Sequence, residues 1–323
     1  MDALDGQITQ CLVHDGRASF RLIADLVGVS EQTVARRYRT LHSSGAVRVQ
    51  VRPNEYALDL RRWFVRIQCR PDAAQALAEA LAARNDVTWV NITSGGAEVV
   101  CVAFSSRDNV GSSVLDRLPR TSQVLSFAAF AALHIHTGDA TLWTAFADPL
   151  TPAQIGSLTA EQPHPPAKTL RPASTLSEDD TCLVRELAED GRASASALAR
   201  ATKRTPAAVS RRLEELLEGG AVYVGVDISP AAFGFDVAAY LWLTVVPGEL
   251  HAVGTALSRL AETTFTAAVS GPANLLVTVA CPNLEALYDL VTGRIGALPA
   301  IRQLEVVPVL HRLKRGGLRI SGH

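Results

Sequence analysis

Two arginine pairs, Arg36-Arg37 and Arg211-Arg212, stand 175 positions apart in a chain of 323 residues. A guanidinium is planar, permanently charged and presents a fork of N–H donors, so it suits phosphate oxygens and the O6/N7 edge of guanine. Gln32, Thr33 and Arg39 add donors and acceptors around the first pair, while Lys203 and Arg204 extend the second. Other chemistry is sparser. His134 and His136 are two apart in a β-rich run, hence on one face, where they could ligate a metal. No carboxylate or thiolate nearby in sequence completes a ligand set, so they read as a structural pair and no metal is expected. Cys11, Cys69, Cys101, Cys182 and Cys281 are scattered without a C-x-x-C pair and read as buried thiols in a reducing compartment. Neither they nor Ser94 and Ser270 have a base partner at motif spacing, which leaves nucleophilic catalysis unsupported.

The elements that position the arginines repeat. Asp15-Gly16-Arg17-Ala18-Ser19 recurs as Asp190-Gly191-Arg192-Ala193-Ser194, and Val34, Leu41 and Gly45-Ala46-Val47 fall on Val209, Leu216 and Gly220-Ala221-Val222. In residues 3–14, Leu4, Ile8, Cys11 and Leu12 recur at helical spacing; a second helix follows from Ser19 to the Gly28 stop, and Ser30 can N-cap a third. Three short helices with a glycine turn between the last two describe a helix-turn-helix. On the third, Val34, Tyr38 and Leu41 face inward, leaving Gln32, Thr33, Arg36 and Arg37 on the half that would meet base edges. The second copy has Thr205 and Pro206 at its third-helix start. There Ala207 and Ala208 replace Gln32 and Thr33, and Glu214, Glu215 and Glu218 follow, so this copy is expected to hold phosphates better than it reads bases.

Each helical unit precedes a βαββαβ pattern. The first has strands near 63–69, 87–93, 98–104 and 123–136, with helices from Pro71 and over 107–118; the second has strands at 238–246, 264–270, 274–280 and 301–311, with helices at 249–261 and 283–296. Such a sheet carries helices on one face only, and a second sheet is the natural cover for the other. The two could pair within the chain or with counterparts in another chain. The fold class is therefore α+β, two helix-turn-helix domains alternating with two ferredoxin-like domains: 1–50, 60–137, a Pro-rich linker at 138–176, 177–225 and 233–315. Trp143 and Leu150 of the linker are candidates to dock on a neighbouring domain.

Composition fits this division. Hydrophobic residues make up 48% and charged ones 20%, which excludes a disordered chain. The 31 Lys+Arg nearly balance 32 Asp+Glu, so no uniformly basic coat exists. Yet Ser30 to Arg62 holds seven arginines against three acids, a basic face on a neutral chain. The acidic start lacks a signal peptide's basic n-region, and the longest apolar run, Val124 to Ile135, is too short to span a bilayer, which predicts a cytoplasmic protein without a membrane partner.

The helical unit, through Asp15-Gly16-Arg17-x-Ser19, Ile23-Ala24, Val27-Gly28-Val29-Ser30, Val34, Arg37, Leu41 and Gly45-Ala46-Val47, resembles the helix-turn-helix of the Lrp/AsnC (feast/famine) regulators. The βαββαβ units resemble that family's regulatory RAM domain. The resemblance covers nearly the whole chain twice, in tandem double-length form. It implies a regulator that binds double-stranded DNA, forms homo-oligomers through RAM sheets and senses an amino-acid-like small molecule near the turn between the second and third strands of the RAM domain. That turn places Thr93, Ser94, Gly95, Gly96, Ser270 and Gly271 as effector residues. The family's usual Gly-then-Asp is here Gly95-Gly96-Ala97-Glu98 and Gly271-Pro272-Ala273-Asn274, so the acid that would hold an ammonium is displaced or missing. No cofactor is implied. Siroheme decarboxylases share the plan, but their His-Arg pair and Asn-x-Met element have no counterpart in 61–67 or 233–240; a non-enzyme is the expected reading.

Overall fold

A computed structural model describes residues 1–106, 113–138, 146, 148–160 and 176–320. In chain order the first half gives α1 (Ala3–His14), α2 (Phe20–Val27), α3 (Glu31–Ser43) and β1 (Val47–Pro53). It continues with β2 (Arg61–Cys69), α4 (Ala74–Ala82), β3 (Val87–Thr93), β4 (Glu98–Ser105), α5 (Val114–Arg117), β5 (Val124–Gly138) and α6 (Pro152–Ala160). The second half gives α7 (Glu178–Glu189), α8 (Ala195–Thr202), α9 (Pro206–Glu218) and β6 (Val222–Ile228). Then follow β7 (Val237–Val245), α10 (Leu250–Ser258), β8 (Thr263–Val269), β9 (Leu275–Cys281), α11 (Leu284–Asp289), β10 (Ile301–Arg315) and β11 (Leu318–Arg319). The helix expected over 107–118 shows only its last part, α5, because 107–112 lie outside the described residues, as does Trp143.

These elements form two compact units that cut across chain order: Met1–Asp59 with Asp139–Phe233, and Leu60–Gly138 with Gly234–His323. The first gathers both helix-turn-helix copies, the second both RAM-like copies.

In the first unit the caps follow the sequence. Ser19 and Ser30 Oγ accept from Leu22 N and Thr33 N, and Gly28 ends α2 at φ 72°, a left-handed conformation that glycine adopts without a Cβ clash. Beyond each third helix runs a strand that the helical reading missed. β1 and β6 pair antiparallel, Val49 opposite Val226, and join the copies in a two-stranded sheet. Val47, Val49 and Val51 are fully buried, and Val51 belongs to the core of the second copy with Leu187, Leu198 and Leu213. The linker is not featureless. Pro152 stands at the first position of α6, where its missing N–H costs nothing, and Leu158 and Leu150 are buried. Gln154 Nε2 donates to Leu26 O at 2.7 Å and Leu150 N to Gln10 Oε1 at 2.9 Å, tying this segment to the first helix-turn-helix.

In the second unit each copy has the ferredoxin-like strand order, β5-β2-β4-β3 and β10-β7-β9-β8. The 15-residue last strand of each crosses to the other. β5 pairs with β2 through Ala131 and from Ala132 with β8; β10 pairs with β7 through Pro308 and from Val309 with β3. Eight strands thus close into a ring of pairings, and the uncovered sheet faces meet within one chain. Phe64, Val100, Ile135, Tyr240, Trp242, Leu276 and Val307 fill the space between them, while the helices cover two outer cores. Closing the ring leaves the two sheets no long open edge.

Candidate nucleic-acid interface

The repeated pentapeptide is the joint between the two helix-turn-helix copies. Asp15 and Asp190 accept from the backbone N–H of Arg17 and Arg192, both at 2.9 Å, and shape the turns. The arginines then cross over: Arg17 donates to Gly191 O at 2.5 Å, and Arg192 donates to Gly16 O at 2.7 Å and Ala18 O at 2.9 Å. Arg192 also lies over the rings of Phe20 and Tyr38, 4.5 and 5.4 Å from their centroids. Burial lowers the pKa of both guanidiniums and pushes the Tyr38 hydroxyl up to about 12. Glycine is required because strand β1 comes close. Gly191 N donates to Val49 O at 2.8 Å, and a Cβ on Gly191 would lie 2.8 Å from Gln50 N. Ala18 is buried, and Ser19 and Ser194 cap their helices. Within the pentapeptide, Asp and Ser shape the local turn and cap, while Gly and Arg make the contacts that fix one helix-turn-helix against the other.

On α3 the sequence-selected side chains separate. Gln32, Arg36 and Arg39 are exposed and Thr33 is half-buried, its hydroxyl 2.9 Å from Ser30 Oγ. Among the described residues Arg36 and Arg39 form no ion pair; they line an open depression of about 530 Å³ with Thr40, Ser43 and Asp190. Arg37 turns inward, bonding Asp2 at 2.6 Å and Asp5 at 3.4 Å. These two acids form the capping box of α1, so Arg37 fastens α3 to α1. Arg212 repeats this tie, holding Asp180 through Nε and Nη2, both at 2.8 Å. Its guanidinium holds the Asp180 carboxyl well below the usual carboxylate range. The second arginine of each pair recurs for a structural reason: Arg37, expected to read bases, and Arg212, expected to hold phosphate, are both engaged within their own copies. The matching acids, Asp5 and Asp180, share the 175-residue offset and carried that signal in the sequence.

The second copy is also more self-neutralised. Arg204 pairs with Asp179, and Arg211 approaches Glu215 at 3.6 Å on the exposed face of α9. Lys203 ends α8 in the left-handed conformation, φ 56°, where the first copy has Gly28.

The effector candidates are likewise split. Thr93 is buried and its hydroxyl donates to Glu98 Oε2 at 2.8 Å; Ser94 reaches the same oxygen at 3.1 Å. Glu98, its side chain fully buried, also accepts from Arg66 Nε at 2.6 Å and Gln68 Nε2 at 3.1 Å. Arg66 in turn clamps Glu305 with two bonds of 2.6 and 2.8 Å and lies over Trp242. The hydrogen bonds that Arg66 donates to Glu305 and Glu98 raise its pKa, and Arg66 lowers that of Glu305. Gly95 and Gly96 take positive φ with open space where a Cβ would stand. In the second copy the turn is spent on the ring of strands. Ser270 N donates to Ala131 O, Ser270 Oγ accepts from Ala131 N, and a Cβ on Gly271 would sit 2.7 Å from the Phe130 ring. The expectation that Ser270 and Gly271 face an effector therefore gives way to strand pairing, and only the first turn keeps a polar cluster with glycine beside it.

The sequence reading missed His251. On the first turn of α10 it joins His134 and His136 of β5, with ligand atoms all within 4.8 Å of one another. It lies 115 residues beyond His136 and in the other copy, so no local spacing could signal it.

Comparison with known proteins agrees with this architecture. An AsnC-type helix-turn-helix domain matches residues 1–42, a winged helix-turn-helix DNA-binding domain 183–223, and the Lrp/AsnC ligand binding domain 238–318. An uncharacterised HTH-type transcriptional regulator of Pyrococcus abyssi is 25% identical over 143 residues, 44% of this chain and 90% of that protein. One of Pyrococcus furiosus is 27% identical over 130 residues, 39% of this chain and 87% of its own length. The crystal structure of the siroheme decarboxylase NirDL superposes over 97% of this chain and 93% of its own with a TM-score of 0.62 at 12% identity, a likeness of fold. With an AsnC-type helix-turn-helix, a second DNA-binding helix-turn-helix and an Lrp/AsnC ligand binding domain on one chain, and HTH-type regulators among its relatives, these matches support a DNA-binding transcriptional regulator of the Lrp/AsnC family.

Proposed function

We propose that one chain does the work of a regulator dimer, with unequal halves. The observation that carries this is the state of the arginines: Arg36 and Arg39 of α3 are exposed and form no ion pair among the described residues, whereas Arg204, Arg211 and Arg212 are engaged by acids. The first recognition helix, with Gln32, Thr33 and Arg36, reads base edges in the major groove, and Arg39 meets phosphate. The second copy contributes phosphate contacts through Lys203, Arg204 and Arg211, since exposed ion pairs of this kind are weak enough to exchange for phosphate. Binding at fixed salt tests this. Arg36→Ala should lower affinity for a selected operator about 5–150-fold, the equivalent of about 1–3 kcal/mol, and relax preference at one base position. Arg211→Ala should weaken all sequences alike.

The RAM-like unit acts as the joint, with a small polar effector, amino-acid-like in chemistry, at the first β3–β4 turn near Ser94, Gly95 and Gly96. The chain works in the cytoplasm, without a cofactor and without catalysis. Associations between chains would use surfaces other than the sheet faces, which are already covered within the chain.

The double-length fold likeness favours one rival, a tetrapyrrole enzyme. A polycarboxylate macrocycle needs free cations in the ring of strands, yet Arg66 of β2 is already engaged by Glu98 and Glu305. An unchanged absorbance spectrum on adding a tetrapyrrole to the purified chain is expected; a shifted Soret band would support the enzyme instead.

A further inference from the structure

We propose that His134, His136 and His251 form a zinc site joining the two RAM-like copies. Imidazole is a preferred ligand of Zn²⁺, and three histidines with a solvent position complete a tetrahedral set. His134 and His136 stand on β5, just past the point where this strand leaves its own copy and pairs with β8 of the other; His134 lies opposite Ala268. His251 comes from α10, the helix that covers β8. The three rings are mutually adjacent, with centroids 4.6, 5.6 and 5.2 Å apart, and one potential ligand nitrogen from each lies within 4.8 Å of the others. Tetrahedral zinc with bonds of about 2.0–2.1 Å needs nitrogens about 3.4 Å apart, within reach of side-chain rotation alone.

Two further features suit a built site. Gly254, one helical turn after His251, is what admits the His136 ring: a Cβ there would run into His136 Nε2. The site also exists at only one of two pseudo-equivalent places. At the corresponding point of β10 stand His311 and Leu313, and the corresponding turn of α4 carries Gln75 and Ala76, so at most one ligand of the three is repeated. His134 and His251 are exposed and His136 is half-buried, which leaves an entry path. Bound zinc would link the first copy's last strand to the second copy's helix and strengthen the crossover by mass action, because the unfolded chain has no preformed site.

The test is titration of the full chain with Zn²⁺ after chelator treatment, read by calorimetry, together with the visible spectrum of the Co²⁺ form. The expected result is one metal per chain, tetrahedral cobalt bands, and a loss of affinity of at least about tenfold in each of His134→Ala, His136→Ala and His251→Ala. Circular dichroism should show these variants folded. His311→Ala should bind as the parent does. No binding at one equivalent, retention of binding in the three variants, or an equal loss in His311→Ala would each overturn the proposal.

Discussion

The pseudo-symmetric joint between the helix-turn-helix copies makes an asymmetric prediction for Gly16 and Gly191. A Cβ on Gly191 meets three backbone atoms of Gln50 at 2.8–2.9 Å, whereas one on Gly16 meets the side-chain methyls of Val224 at 2.7 Å and Val49 at 3.1 Å. Methyls can shift with their side chains; a paired strand cannot. In Gly191→Ala the separation must grow from 2.8 Å to ordinary contact near 3.4 Å, which stretches the Gly191 N to Val49 O bond and the Arg17 bond to Gly191 O together. Overpacking costs about 1–3 kcal/mol and a weakened hydrogen bond about 0.5–1.5 kcal/mol, while the lost chain freedom of glycine returns about 0.4–1 kcal/mol. The net for Gly191→Ala is about 2–3 kcal/mol, and for Gly16→Ala at most about 1 kcal/mol. At about 2–4 °C per kcal/mol for a unit of this size, the Gly191→Ala transition should fall by roughly 5–10 °C. Scanning calorimetry, with the transition of this unit resolved from the RAM-like unit, reads both. Equal shifts in the two variants, or a Gly191→Ala protein as stable as its parent, would refute the argument from backbone contact.

Acid should loosen the second helix-turn-helix. Arg212 depresses the Asp180 carboxyl below its ordinary 3.8, so the stabilisation is complete above that value and drains away as pH falls below it. Asp180→Asn should flatten this part of the stability profile, and a profile identical to the parent's would count against the assignment. Glu98→Gln removes the charge on which Arg66, Gln68, Thr93 and Ser94 converge, and urea unfolding should show the RAM-like unit losing about 1–3 kcal/mol. Arg37→Ala should lower the thermal stability of the first helix-turn-helix while leaving its sequence preference unchanged, since Arg37 faces Asp2 and Asp5; a changed preference in a binding selection would return it to the interface. Light scattering should show that the chain at low concentration has the mass of one polypeptide; an obligate two-chain species would contradict the view that the ring of strands makes each chain a dimer equivalent.

Local features were legible in the sequence, and pairings were not. Ser19, Ser30 and Gly28 announced the helices because capping is settled within four residues. The alternation Val47-Arg48-Val49-Gln50-Val51 was equally plain as a strand, but its partner lies 175 positions on, and a strand without a visible partner is easily absorbed into a basic tail. The salt bridge of Arg37 with Asp5, 32 residues back, was hidden because no local spacing links α3 to α1, so that a repeated structural tie read as a repeated DNA contact. In the Pro-rich linker, proline count alone cannot distinguish a helix start such as Pro152 from a broken segment. At the β3–β4 and β8–β9 turns the sequences look alike; what separates Ser94 from Ser270 is the strand crossing over the second, a consequence of closure that neither turn encodes.

The central claim is that one chain reads DNA chiefly through the exposed face of α3. Selection of binding sites from a random duplex pool, followed by titration of the winning site with the full chain and its Arg36→Ala and Arg211→Ala variants at several salt concentrations, tests it directly. The account predicts one chain per site, a loss of about 5–150-fold with relaxed preference for Arg36→Ala, and for Arg211→Ala a sequence-independent loss with a salt slope smaller by about one. A pool that yields no preferred sequence, or an Arg36→Ala protein that binds the winning site as tightly as its parent, would contradict it.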